Sequence, residues 1–334
     1  MKRTIALLIT VLAFALAGAW LGPPEAASAP IVIKIVNVTS QNSTKGQSWE
    51  YFKKLAEERL RGKVVVQHFH SGQLFGQAQK MGALQAGAIQ FISPATGLYT
   101  KLFPSWALWE LPYLFNTPEE LRRAAEDPKI GGRIFADAEK KGMKAFGLWL
   151  NGFRLVGTWK RPVRKLEDLQ GLKLRVIPGK VYRDAFSALG ANVVSIAWGE
   201  IVPALQQKVV DAIEPTASNW ESTKLYELAR HITFTNHILA NYVVATNKKW
   251  WDDLPADIRK ELDQIMKETT DYNWKLVADE DAKAVEKMKA AGTNFYDLEP
   301  AERKRWVAKA RMVHKDYEKT VGKDVLQAVY NLGK

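Results

Sequence analysis

Cysteine is missing from all 334 residues. Its absence excludes disulfides, thiol nucleophiles, thiolate metal sites and a lipid anchor attached through cysteine. Histidine is scarce as well, with five residues in total. Only His68 and His70 fall close together; their spacing puts both on one strand face, but no third ligand accompanies them. No metal and no cofactor are therefore expected. The nucleophile-elbow serine, the P-loop, the dinucleotide glycine fingerprint and the zinc-protease motif are all lacking, and no paired acid–base constellation stands out. Lysine and arginine outnumber acids 48 to 36, for a formal charge of +12, yet no basic run exceeds three residues. Recognition-helix, zinc-knuckle and aromatic-repeat patterns are absent too, so nucleic acid is not an expected partner. The charge instead suits long-range attraction of anionic ligands, and solubility.

Long apolar runs occur in one place only. Lys2-Arg3 precedes an apolar stretch from Ile5 to Leu21, and Ala27-Ser28-Ala29 offers a small-residue cleavage site. This pattern predicts a secretory signal peptide over residues 1–29. The remainder is long enough for two lobes with ample cores. Element order predicts an α/β architecture. Lobe I takes residues 30–152 with 241–280, and lobe II takes 153–240 with 281–334. Ile31 to Val38 and Val64 to Phe69 have strand character, and Ser48 to Leu60 has helical spacing with Trp49, Phe52, Leu55 and Ala56 on one face. A helical tract from about Pro255 to Ala291 is long enough to lie across both lobes. Residues 299–331 are expected to be helices closing lobe II.

The most informative stretch is 166–220. Gly171 to Pro178 has strand alternation, with Leu172, Leu174 and Val176 on one face and Lys173, Arg175 and Ile177 on the other. Pro178-Gly179 ends the strand. Val181 to Leu189 is a helix capped by Gly190. Val193 to Ile196 and Val209 to Pro215 are further short strands, separated by a helix from Ile201 to Lys208. Two strand–helix–strand units predict a parallel sheet, and ligands of such sheets bind at the carboxyl ends of the strands. Arg175, Trp198 and Glu214 all fall at or just past those ends. A strand-end arginine can grip a carboxylate with two parallel hydrogen bonds, or pair with a nearby acid of its own chain.

At these residues the chain resembles the solute-binding proteins of TRAP (tripartite ATP-independent periplasmic) transporters. The matching segments are Leu172 to Val176, Leu189-Gly190-Ala191, Ile196 to Glu200 and Ala204 to Asp211. Ser71 to Gly76, Glu110 to Phe115 and Asn151 to Arg154 match in the same order, so the resemblance covers essentially all of the chain after residue 29. It implies a periplasmic-binding-protein-like fold with a ligand cleft between two lobes and a long helix spanning both. It also implies capture of an organic acid in the periplasm, membrane permease subunits as partners, and no enzymatic activity. A sensor subunit presenting the same ligand to a membrane signalling protein is an alternative, and an enzyme acting on small carboxylates a more distant one.

The resemblance makes Arg175 the carboxylate anchor and places Arg154 toward the cleft or just behind it. Trp198 falls where relatives carry an aromatic residue against the ligand, and Trp149, beside the first strand exit, is a candidate second wall. Tyr182 and Thr96 are candidate hydroxyl contacts. At Glu214 the chain departs from the family: the asparagine expected next is Pro215, which leaves Asn219 or Thr216 to supply the polar contact. Ala95 and Leu98 stand where some relatives carry charged contacts. The pocket is thus expected to be apolar apart from its arginines.

Overall fold

The computed structural model describes residues 29–332; the expected signal peptide lies outside them, except for its last residue. Eleven strands among the described residues form two sheets. The first has the order β2-β1-β3-β10-β4, from Val64–Phe69, Ile31–Val36, Phe91–Ile92, Leu239–Asn247 and Met143–Phe153. β1 runs parallel to β2 and β3, while β10 is antiparallel to β3 and β4. The second sheet has the order β11-β9-β5-β8-β6-β7, from Asn294–Asp297, His231–Phe234, Val156–Thr158, Ala212–Ile213, Lys173–Val176 and Asn192–Ser195. β6 lies parallel between β7 and β8, as the alternating strands and helices predict. Short antiparallel β5 joins this trio to the parallel pair β9–β11.

Helices bury their apolar stripes against these sheets. Thr44–Arg59 starts at Ser43, whose side chain accepts from the Gly46 amide, satisfying one orphan donor of the first turn. Its Trp49, Phe52 and Ala56 are buried with Ile33, Ile35 and Phe91. Lys180–Leu189 ends at Gly190, whose φ of 96° is the left-handed cap that glycine adopts without a Cβ clash.

The helix Ala256–Ala290 has 35 residues, about 50 Å at 1.5 Å per residue. Leu262, Ile265 and Met266 pack into the core with Trp49 and Phe52 of the first lobe. Ala284 and Met288, further along, pack with Ile213 and Trp220 of the second. The chain changes sheets between β4 and β5, between β9 and β10, and, through the long helix, between β10 and β11. Beside the first crossing, Asp281 of the long helix accepts from the Ser218 amide at 2.9 Å. A Cβ on Gly152 would lie 2.0 Å from that carboxylate, and its φ is +103°. Glycine is required there on both counts.

The carboxyl-terminal helices need a correction. Pro300–Arg311 packs on Lys180–Leu189 of the second lobe, but His314–Val321 and Lys323–Leu332 pack on the first lobe, against Pro104–Glu110 and Pro118–Glu126. The reason is apolar complementarity: Tyr317, Val321, Val325, Leu326 and Val329 are buried in the same cluster as Leu108, Leu121 and Ala124.

Candidate functional site

A small cavity lies between the lobes. The space open to the centre of a water molecule is about 30 Å³. Arg175 forms one wall. β6 sits inside its sheet, so Leu174 and Val176 enter the core while Arg175 and Ile177 face the cavity. The Arg175 side chain is fully buried. Its Nε and Nη2 donate to the Ile196 carbonyl at 2.9 and 2.6 Å, which fixes the guanidinium plane. Nη1 is buried without a partner. Burial pulls this guanidinium down to about 9; Glu214 opposes the shift and the like charge of Arg154 adds to it. An unmatched buried cation of this kind favours an anion.

Arg154, just past β4, also lines the cavity. Its amide donates to the Ile238 carbonyl at 3.0 Å. Its Nη2 donates to Glu214 Oε1 at 2.6 Å, and its Nε donates to Oε2. His237 Nε2 stands 3.4 Å from the same Oε2, while its Nδ1 is 2.8 Å from Thr235 Oγ1. Burial lowers the affinity of His237 for a second proton, so the neutral ring donates to Glu214. Burial opposes ionisation of Glu214, but Arg154 and His237 outweigh it and hold the carboxyl below its usual value. Arg154 thus reaches the cavity with its charge already paired.

Two lysines complete the electrostatics. Lys45 and Lys80 both line the cavity and are 2% and 1% exposed. Lys45 Nζ donates to the Ser93 carbonyl at 3.3 Å and lies 3.9 Å over the Tyr242 ring. Burial pushes Lys80 down to about 7. Lys45 is also held well below its ordinary value, first by burial and then by the charge of Lys80. Sequence reasoning missed both, and the expectation of an apolar pocket is corrected by them. The available signal was helical phase: Lys45 shares the face of Trp49 and Phe52, at i+4 and i+7, where a lysine is out of place unless it has a partner.

Of the residues singled out from sequence, Arg175, Arg154, Trp198 and Asn219 surround the cavity, as do Ala95 and Leu98. The Trp198 amide donates to Gln77 Oε1 of the other lobe at 2.9 Å. Asn219 Nδ2 donates to Asn151 Oδ1 at 3.0 Å. Four others do not reach the cavity. Glu214 sits behind Arg154 as its counter-ion. Trp149 is a core residue, its ring 4.5 Å from Trp49 and its Nε1 donating to Thr270 Oγ1 at 3.0 Å. Thr96 Oγ1 is 2.5 Å from Glu110 Oε1, and the Tyr182 hydroxyl donates to Glu110 Oε2. Both hydroxyls are therefore turned to a buried carboxylate instead of a ligand. His68 Nδ1 lies 2.7 Å from Glu50 Oε1. Among the described residues no cluster of three or more metal-ligating side chains occurs.

Residues 35–320 match the model of DctP, bacterial extracellular solute-binding protein, family 7. The chain belongs to this family. It is 34% identical to the C4-dicarboxylate-binding periplasmic protein DctP of Rhodobacter capsulatus over 98% of its own length and 97% of that protein. Among solved structures, a TRAP periplasmic solute-binding protein of Shewanella oneidensis with bound succinate superposes with a TM-score of 0.89 at 32% identity, covering 92% of this chain and 100% of that one. A TRAP solute-binding protein of Pseudomonas aeruginosa with bound L-malate gives a TM-score of 0.83 at 30% identity, covering 86% and 100%. The two lobes, the cleft between them and the long shared helix are thus those of a DctP-family protein.

Proposed function

We propose that this DctP-family protein is a periplasmic receptor that captures a C4-dicarboxylate between its lobes and delivers it to TRAP permease subunits. One observation carries the choice of cargo. Four basic side chains, Arg175, Arg154, Lys45 and Lys80, meet at one small cavity, only Arg154 has a carboxylate partner among the described residues, and a bound carboxylate favours the protonated form of each lysine. Burying charge without compensation is strongly unfavourable, and a dianion supplies the compensation. In this reading Arg175 grips one carboxylate through Nη1 and Nη2. Lys45 and Lys80 hold the other, Arg154 assists, and Ala95, Leu98 and Ile177 cover the methylenes between them. Trp198 and Asn219 close the walls. The two relatives with bound succinate and L-malate support the same class.

A binding role without catalysis fits this arrangement, because no acid is among the described residues lining the cavity, and Glu214, behind Arg154, is committed to Arg154 and His237. Export through a signal peptide at residues 1–29 fits a family of periplasmic receptors. The test is a thermal-shift panel of succinate, L-malate, fumarate, butyrate, galacturonate and sialic acid, since a ligand that binds only the folded state raises its melting temperature. Stabilisation by the four-carbon diacids above all others is expected. Stabilisation by galacturonate or sialic acid alone overturns the proposed cargo.

A further inference from the structure

The two lobes also touch at residues that do not line the cavity. Glu110, in the first lobe, is fully buried. Within that lobe its Oε1 accepts from Thr96 Oγ1 at 2.5 Å and from the Gly97 amide at 3.2 Å. Thr96 Oγ1 is in turn 3.0 Å from Asn241 Oδ1, so the carboxylate is held in a fixed orientation. The remaining oxygen, Oε2, accepts from the Tyr182 hydroxyl, which belongs to the second lobe. Tyr182 is fully buried, and its ring atoms Cδ2 and Cε2 pack against Gly97 of the first lobe. A Cβ on Gly97 would lie 2.6 Å from Tyr182 Cε2, and one on Gly179 would lie 2.7 Å from the Gly97 carbonyl oxygen. The lobes approach closely here because both positions are glycine. The Arg154 guanidinium lies 5.1 Å from the Tyr182 ring centroid on its way to the cavity wall. Burial pushes the Glu110 carboxyl up to about 7, against the hydrogen bonds from Thr96 and Tyr182 and the charge of Arg154. When the lobes part, Glu110 loses Tyr182 and gains water.

We propose that Tyr182 and Glu110, with Gly97 and Gly179 as the glycine seat, form a latch that holds the lobes closed over the ligand. Tyr182 and Glu110 are positioning residues: neither lines the cavity, and both act on closure. The inference rests on the capture function proposed above. It implies that Tyr182→Phe, which keeps the ring and removes the hydroxyl, speeds ligand release without altering either lobe. Gly97→Ala places a methyl group against the Tyr182 ring and, within its own lobe, no nearer than 3.3 Å to Glu110 Cγ, so opening relieves the clash.

The natural lack of cysteine makes the test direct. Lys54→Cys and Ser187→Cys, both exposed and one on each lobe, take spin labels for distance measurement by double electron–electron resonance, with and without saturating succinate. The parent is expected to populate the short distance, fully with succinate and detectably without it. Tyr182→Phe should lower the short-distance population in both samples and raise the succinate dissociation rate about tenfold, the value of one charge-assisted hydrogen bond. Gly97→Ala should leave the long distance dominant, with each variant retaining the circular dichroism of the parent. Distances and dissociation rates unchanged in both variants overturn the latch, and so does a parent confined to the long distance in both samples. If succinate leaves the parent unmoved while both variants still shift the ligand-free distribution toward the long distance, the cargo assignment fails and the latch stands.

Discussion

Replacing Arg175 by methionine separates a ligand anchor from a structural ion. In the structure this guanidinium is buried, donates twice to the Ile196 carbonyl, and leaves Nη1 without a partner among the described residues. Its charge is uncompensated, so a side chain of similar length without charge should leave the ligand-free melting temperature unchanged or higher. Binding should respond in the opposite sense. A carboxylate held by two charge-assisted hydrogen bonds, each contributing about 1.5–3 kcal/mol, should lose about a hundredfold or more in affinity, at about 1.4 kcal/mol per factor of ten. At a succinate concentration of 100 times the parent Kd, the parent gains about 2.7 kcal/mol of stability, while a variant bound a hundredfold more weakly gains about 0.4 kcal/mol. For a protein of this size that difference is a shift of several degrees, at about 2–4 °C per kcal/mol. Thermal melts with and without succinate, checked by calorimetric titration, read both effects. Unchanged succinate affinity refutes the anchor role. A steep loss of ligand-free stability with affinity retained also refutes it, because it makes Arg175 a structural residue.

Further outcomes follow from the charges around the cavity. Lys80 falls to about 7 in the fold from an ordinary 10.5. Between those values the unfolded chain binds the proton and the fold does not, so ligand-free stability should rise with pH from about 7 to 10.5. Lys80→Met should reduce that rise in melts at pH 7 and 9, and should weaken succinate more than tenfold. Glu214→Gln removes the counter-ion of buried Arg154 and should cost about 3–5 kcal/mol in denaturant unfolding; a loss below about 1 kcal/mol contradicts the pairing. Trp149→Phe should lower stability by about 1–3 kcal/mol and leave succinate affinity within about twofold, since the ring belongs to the core.

Much of this fold was legible before the structure, for identifiable reasons. The segment around Arg175 reads correctly because β6, its two parallel neighbours and the helix capped by Gly190 are each signalled locally, by alternation, helical phase and turn residues. Strand limits were overestimated: residues 209–215 hold only the two-residue strand Ala212–Ile213, because pairing partners and not propensity set the ends. The cavity was legible where a residue's role follows from its own strand end, as for Arg175 and Arg154. It was not legible where the role depends on a distant carboxylate. Tyr182 and Thr96 look like ligand contacts until Glu110, remote from Tyr182 in sequence, is seen to take both hydroxyls. Trp149 lies next to a matching motif, and only packing against Trp49 assigns it to the core. Lys45 and Lys80 escaped because lysine is ordinarily a surface residue, and charge burial is a property of the folded pair of lobes.

The most direct test of the proposed cargo is calorimetric titration of the protein with succinate and, separately, with butyrate, which keeps the four-carbon chain and one carboxylate. The account predicts one-to-one binding of succinate and at least a hundredfold weaker binding of butyrate, because only the diacid reaches both Arg175 and the lysine pair. Equal affinity for the two would show that the second carboxylate has no partner in the cavity, and would contradict the account.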